Sequence, residues 1–179
     1  MEAPEVPIEK VHEDLHEHAH AHGKPGWAMG VALSTALLAV LAAIASLLAG
    51  HYANEGMLDQ MKASNEWSRY QAKSVKENVL RSKLDVLTAL EKPVAAKDEE
   101  KLKEYRKEED EIGENAKKLG ESSEHHMELH ARLARAVTLF QVGIGVSAIA
   151  VLTDRRMFWF GGMVCGVIGT IFLVTAFLH

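Results

Sequence analysis

Three long apolar runs constrain this chain more than any other feature of its sequence. They cover residues 27–50, 134–153 and 157–178, and the last two are adjacent in the chain. A helix of about 20 apolar residues crosses the hydrocarbon core of a bilayer, and each run reaches that length. The sequence therefore predicts an all-α membrane protein with three transmembrane helices.

Between the first and second runs lies a charged stretch, residues 51–133, that contains no apolar run of its own. Pro93 lies near its midpoint, and proline interrupts helices because it lacks an amide proton and clashes with the preceding turn. The arms on either side are each about 40 residues long, or roughly 60 Å as helices. Equal arms let the chain leave and re-enter one membrane face, so we expect a long antiparallel helical hairpin with its turn near Pro93.

The predicted organisation places a His-rich acidic tail before these elements. In chain order the segments are the tail 1–26, transmembrane helix 1 at 27–50, the extramembranous hairpin at 51–133, transmembrane helix 2 at 134–153 and transmembrane helix 3 at 157–178. The acidic start of the chain is unlike a signal peptide, which needs a short cationic segment before its apolar core.

Apolar residues recur at heptad spacing in both arms of the predicted hairpin, as in coiled coils. The first arm has one stripe of Leu58, Met61, Ala72, Val75, Val79 and Val86, and a second stripe near the tip of Leu80, Leu84 and Leu87. The second arm has one seam, which includes Leu102, Tyr105, Ile112, Ala116, Leu119, His126, Leu133 and Val137. Two stripes predict that the first arm contacts more than one partner helix, so several hairpins are expected to associate.

Charge and motif content exclude several classes of function. The net charge is -5 and basic residues alternate with acids, so no basic face for nucleic acid is expected. No nucleophile–base arrangement, phosphate-binding loop or pair of intramembrane carboxylates occurs in the sequence. The sequence therefore predicts a non-enzymatic protein that has no cofactor.

Two groups of histidines are the candidate metal ligands, because closely spaced imidazoles suit zinc or nickel. The first group is His16, His18, His20 and His22 in the tail. The second group is His51, at the exit of the first span, together with His126 and His130, one helical turn apart before the chain re-enters the membrane. The alternative for both groups is that they are polar, pH-titrating side chains without a metal.

Four further residues are candidate interface residues. Trp67 and Tyr70 lie one helical turn apart beside basic residues, a combination that is typical of interface hot spots. Gly162 and Gly166 form a small-xxx-small pair, which allows close approach of helices in lipid. The alternatives are packing between the hairpin arms for the aromatic pair, and packing within one helical bundle for the glycines.

The segment Trp67-Ser68-Arg69-Tyr70-Gln71-Ala72-Lys73-Ser74 resembles a motif of a domain-of-unknown-function family of uncharacterised bacterial membrane proteins. The His- and Glu-rich tail, the alanine-rich first span and the terminal pair of spans resemble the same family. The resemblance covers nearly the whole chain. It implies a three-span protein of the bacterial inner membrane without an assigned activity, and it implies no catalytic residues.

Positive residues in short loops favour the cytoplasmic side, and Arg155 and Arg156 lie in the short loop between the last two spans. We therefore expect a cytoplasmic N-terminus and a periplasmic hairpin. The first functional hypothesis is a homo-oligomeric membrane scaffold, or a protein that docks an unknown envelope partner. The alternatives are a metal- or pH-responsive membrane protein that uses the histidine groups, and an oligomeric channel.

Overall fold

The computed structural model describes residues 26–178, which form three helices in chain order. They are α1 (Trp27–Ala89), α2 (Ala96–Thr153) and α3 (Arg156–Phe177). No strand occurs in residues 26–178, so the all-helical class is confirmed. By length and composition, each helix contains a stretch that is long and apolar enough to cross a membrane. The candidate ligands His16, His18, His20 and His22 lie outside the described residues.

The two long helices end with the same backbone motif. Beyond α1, the amide of Lys92 donates a hydrogen bond to the carbonyl of Leu87 at 2.9 Å, and Glu91 has a φ of 51°. Beyond α2, the amide of Arg155 donates to the carbonyl of Ala150 at 3.1 Å, and Asp154 has a φ of 54°. A left-handed residue with a six-to-one hydrogen bond is the Schellman motif, which satisfies carbonyls at a helix end. Pro93 follows the first of these turns, where it prevents the helix from continuing.

The chain divides into two compact units. One consists of residues 52–128, and the other of residues 26–51 together with 129–178. In the 52–128 unit, the end of α1 contacts the start of α2, and residues earlier in α1 contact residues later in α2. Lys83 Nζ lies 2.6 Å from Asp98 Oδ2, Arg106 Nε donates to Glu77 Oε1 at 2.9 Å, and Ser123 Oγ donates to the carbonyl of Gly56 at 2.7 Å. The two segments therefore run side by side in opposite directions within this unit.

Within this unit, α1 has two heptad seams on different faces. The seam that contacts α2 contains no exposed residue and comprises Gly56, Asp59, Ala63, Glu66, Tyr70, Lys73, Glu77, Leu80, Leu84 and Leu87. The second seam is shifted by two residues, which at 3.6 residues per turn is about 200° around the helix. It contains only exposed residues and comprises Leu58, Met61, Asn65, Ser68, Ala72, Val75, Val79, Ser82 and Val86. The first predicted stripe is therefore exposed, whereas Leu80, Leu84 and Leu87 belong to the seam against α2.

The other unit packs its helical segments through glycines. A Cβ built on Gly162 would lie 2.6 Å from the carbonyl oxygen of Gly143, so α2 and α3 approach at backbone distance. One turn further along α3, a Cβ on Gly166 would lie 2.7 Å from a methyl of Leu38 on α1. Such close packing stabilises helices where lipid removes the hydrophobic drive for their association. Nearer the loop, Trp159 Nε1 donates to Ser34 Oγ at 3.1 Å.

Candidate interaction surface of the 52–128 unit

The face between the two segments of the 52–128 unit combines apolar and polar residues, and its most buried acid is Glu77. Only 3% of Glu77 is exposed, and its carboxylate accepts hydrogen bonds from Arg106 at 2.9 Å and from Arg81. The Arg106 hydrogen bond, together with that of Arg81, lowers the pKa of Glu77 from its ordinary value. Two guanidinium groups thus hold this carboxylate ionised, which fixes the register between the segments.

A second polar group surrounds Asp59, which is 7% exposed. Its carboxylate accepts hydrogen bonds from Ser122 Oγ at 2.7 Å and from Lys62 Nζ at 3.1 Å. The hydrogen bond from Ser122 has the largest effect on Asp59, and together with the one from Lys62 it lowers the pKa of this carboxyl. His126 Nδ1 lies 3.4 Å from Asp59 Oδ2, and its ring stacks on Tyr52 with the centroids 6.0 Å apart. The predicted ligand His126 is thus built into the packing between α1 and α2.

The aromatic pair Trp67 and Tyr70 has two different environments. Tyr70 packs against α2, where a Cβ on Gly113 would lie 3.3 Å from its ring, and a hydrogen bond to Glu109 raises its pKa. Trp67 stacks edge-on against Tyr70, with ring centroids 5.4 Å apart, and remains 39% exposed. Tyr70 therefore packs between the two segments, which was the alternative interpretation of this pair, whereas part of the Trp67 indole remains accessible.

A cleft of about 600 Å³ opens between the two segments at the level of the Trp67–Ser74 stretch. Both helices contribute charged side chains to its wall. The residues that line it include Arg69, Ala72, Lys76, Glu111, Ile112 and Asn115. At its base, Lys73 forms an ion pair with Glu108, and its ammonium group lies 4.7 Å from the ring centroid of Tyr105. The cleft thus has basic and acidic side chains in its wall, and Ala72 and Ile112 are apolar members of its lining.

The exposed seam of α1 runs along this unit on the face away from α2. Its large side chains leave between 43% and 66% of their surface accessible, the extremes being Leu58 and Val79. The exposed positions keep heptad spacing, which is the spacing that coiled-coil pairing uses. We take this seam, together with Trp67 and the cleft, as the candidate interaction surface.

The histidines of the second predicted metal group belong to different units. His126 lies in the 52–128 unit, and His51 and His130 lie in the other. His130 Nδ1 donates a hydrogen bond to the carbonyl of Ala49 at 2.8 Å. Within residues 26–178, no three His, Cys, Asp or Glu side chains are grouped so that they could hold a metal ion. The metal hypothesis for the tail and for these histidines stays a prediction.

Gly162 and Gly166 are buried inside the unit formed by 26–51 and 129–178. Gly162 faces Gly143 and Ser147, and Gly166 faces Leu38. Their close contacts lie within one chain, which is the alternative of packing in a single bundle. Contacts of these two glycines with another copy stay a prediction. The packing within one chain already accounts for both glycines.

Residues 27–179, most of the chain, match the family described as Domain of unknown function (DUF4337). The chain belongs to this family. The match includes the three helices of the DUF4337 domain and the Trp67–Ser74 stretch, and it agrees with the resemblance to a domain-of-unknown-function family. The bacterial origin of the family and the role of the motif in it stay predictions. The sequence matches no curated protein and no solved structure significantly.

Sequence reasoning missed the polar seam by which α1 contacts α2. Its signal was present, because the stripe Leu80, Leu84 and Leu87 continues backwards at heptad spacing through Glu77 to Asp59. Charged residues at those positions concealed the pattern from a search for apolar periodicity. Their burial becomes favourable only when Arg106 and Ser122 supply hydrogen bonds from α2.

Proposed function

We propose that this protein is a non-enzymatic homo-oligomeric membrane scaffold whose copies associate through the exposed seam of α1. The observation that carries the proposal is the unbroken run of exposed heptad positions from Leu58 to Val86. Six of these positions are apolar, namely Leu58, Met61, Ala72, Val75, Val79 and Val86. In this proposal an envelope protein that docks on the assembled hairpins is a further partner.

The seam is large enough to contribute to association without forming a strong coiled coil by itself. Its five large apolar side chains are each about half exposed, so burial stabilises association by about 1 kcal/mol per side chain. Summed over both copies, this is comparable with the entropic cost of association, about 4–15 kcal/mol. Anchoring in one membrane reduces that cost, because the copies already share an orientation.

The proposed location is the bacterial inner membrane. The apolar stretches of α1, α2 and α3 cross the bilayer, and the 52–128 unit forms an antiparallel hairpin outside it. Arg155 and Arg156, in the short loop, favour a cytoplasmic loop and N-terminus and a periplasmic hairpin. All copies then project their hairpins in one direction, so any contact between their α1 seams is parallel.

The charges beside the seam favour this same parallel arrangement. With Leu58 as position a and Met61 as position d, the e positions are all basic, namely Lys62, Arg69, Lys76 and Lys83. An antiparallel pair places e against e, so these basic rows would face each other. A parallel pair places e against the g positions of the partner, which are the neutral Met57, Ser64, Gln71 and Asn78 and the acidic Asp85. Ion pairs within each copy give Lys62, Arg69 and Lys83 an acidic partner and so reduce this antiparallel repulsion.

Disulfide trapping in the native membrane tests the proposal. In a Cys165→Ser background, Val79→Cys places a thiol at an a position, and we expect mild oxidation to give a covalent dimer. Lys107→Cys is the matched control, since this side chain is 80% exposed on α2, away from the seam. Equal dimer yields from both variants would contradict the proposed interface.

Mass measurement of the full chain in nanodiscs gives the second test. We expect an oligomer for the native protein and a shift towards monomer for Val75→Glu with Val79→Glu, because two carboxylates would be desolvated at the seam. Circular dichroism checks that the variant keeps its helical content. A native protein that is monomeric at every concentration would refute the scaffold.

A further inference from the structure

Trp67 and the charged cleft lie on opposite flanks of α1. Trp67 and Arg69 are two positions apart in the sequence, which is about 200° around the helix, so their side chains lie on nearly opposite sides. In the register of the exposed seam, Trp67 occupies position c, next to the g row, and Arg69 and Lys76 occupy position e in the lining of the cleft. The 52–128 unit thus has an aromatic projection on one flank and a receptive cleft on the other.

A parallel assembly brings these two flanks together. Position g of one helix faces position e of its parallel neighbour, so the flank with Trp67 faces the flank with the cleft. In a parallel pair with matched heptads, equal residues of the two copies also lie at equal heights. Trp67 then lies only about 3 Å along the helix axis from the level of Arg69 in the next copy.

We propose that Trp67 of one copy enters the cleft of the neighbouring copy and packs against its basic residues Arg69 and Lys76 and its apolar residues Ala72 and Ile112. This inference rests on the parallel homo-oligomer proposed above and names the residue that completes its interface. The occupant is a second copy of this chain.

The chemistry of the two surfaces is complementary. Cations over an indole face are stabilised by the ring quadrupole, and Arg69 and Lys76 supply two cations in the lining of the cleft. Ala72 and Ile112 supply apolar contacts beside the acids Glu66, Glu108 and Glu111, and the cleft of about 600 Å³ has room for the indole. Arg69 also pairs with Glu66 at 2.7 Å in its own copy, which holds the guanidinium in place.

The exposure of Trp67 fits this role better than packing within one chain. Tryptophan is strongly enriched among the residues that dominate the energy of interfaces. Here the indole keeps 39% of its surface exposed even though it stacks against Tyr70. Contact with a neighbouring copy would bury that remaining surface.

Association measured by dilution of the full-length protein in nanodiscs tests the inference. We expect Trp67→Ala to weaken association about 30-fold, the usual effect of losing an interface hot spot. Since this variant also loses the contact with Tyr70, the cleft is changed independently with Asn115→Trp, which fills it from the other side. We expect a similar weakening from Asn115→Trp and little further loss when both changes are combined. The control is Lys107→Trp, an equal change at an exposed position of α2 outside the cleft, and it should leave association unchanged.

Disulfide trapping separates failure of this inference from failure of the scaffold. In the Cys165→Ser background, Trp67→Cys protein is mixed with Asn115→Cys protein, so a mixed disulfide can form only between copies. We expect this mixed dimer alongside the dimer of Val79→Cys. If Val79→Cys forms a dimer and the mixed pair does not, the Trp67 contact is wrong and the scaffold stands. If neither forms, both are wrong.

Discussion

Replacement of Gly162 by alanine should destabilise the unit formed by residues 26–51 and 129–178, whereas the same replacement at Gly161 should not. A Cβ at position 162 would lie 2.6 Å from the carbonyl oxygen of Gly143, which belongs to the backbone of α2 and cannot rotate away. A Cβ at position 161 would meet its nearest neighbour, a methyl of Val146, at 3.8 Å, which is ordinary van der Waals contact. A Cβ at position 162 would also meet the hydroxyl of Ser147, so the two variants differ in these clashes with α2.

The expected magnitude follows from two opposing effects. Alanine has a higher helix propensity than glycine by about 1 kcal/mol, and this gain applies at both positions. Overpacking costs typically about 1–3 kcal/mol, and it applies only at Gly162. We therefore expect Gly162→Ala to be less stable than Gly161→Ala by about 1–3 kcal/mol.

Unfolding in mixed micelles with increasing sodium dodecyl sulfate, followed by circular dichroism, measures this difference. The comparison is made at low protein concentration, so that association of copies does not contribute. Equal stabilities of the two variants would refute the close contact between Gly162 and Gly143. A loss that appears only at high concentration would instead place Gly162 at an interface between copies.

Three further predictions concern polar contacts. The hydrogen bond from Ser122 holds the pKa of Asp59 below its ordinary 3.8, so the ionised carboxylate stabilises the fold fully above pH 3.8 and this stabilisation is lost as pH falls through the folded pKa. Hydrogen exchange of the native protein should therefore become faster near Asp59 in acid. An equal increase in acid for Asp59→Asn would contradict this prediction. Glu77→Gln should increase exchange near Arg106, because the carboxylate no longer holds two guanidinium groups, and unchanged exchange there would count against this pairing. His130→Ala removes one hydrogen bond to a backbone carbonyl and should cost about 1 kcal/mol in the micelle assay, whereas a neutral result would exclude that contact.

The apolar runs were sufficient to predict the helical class and three helices that could cross a membrane. Hydropathy needs only the local sequence, and lipid permits few structures other than helices with satisfied backbones. The break near Pro93 was also a local property, because proline cannot continue a helix and the left-handed Glu91 ends it. These features required no knowledge of what packs against what.

The contact face of α1 could not be predicted in the same way. Asp59 and Glu77 look solvent-exposed in the sequence, and their burial depends on Ser122 and Arg106, which lie on another helix far along the chain. An apolar-periodicity search therefore found the seam that faces away from α2 more readily than the seam that contacts it.

The unusual distribution of residues on α1 follows if the two seams have different partners. The seam against α2 is formed once within each chain, and specific pairs such as Glu77 with Arg106 define its register at the cost of desolvating charge. The exposed seam has no comparable charged residue at its a and d positions, where Asn65, Ser68 and Ser82 are its only polar members. An apolar seam of moderate strength suits a contact that forms between copies held in one membrane, because stronger seams would pair the chains before insertion. Under the proposed scaffold, the seam against α2 serves folding within one chain and the exposed seam serves association of copies.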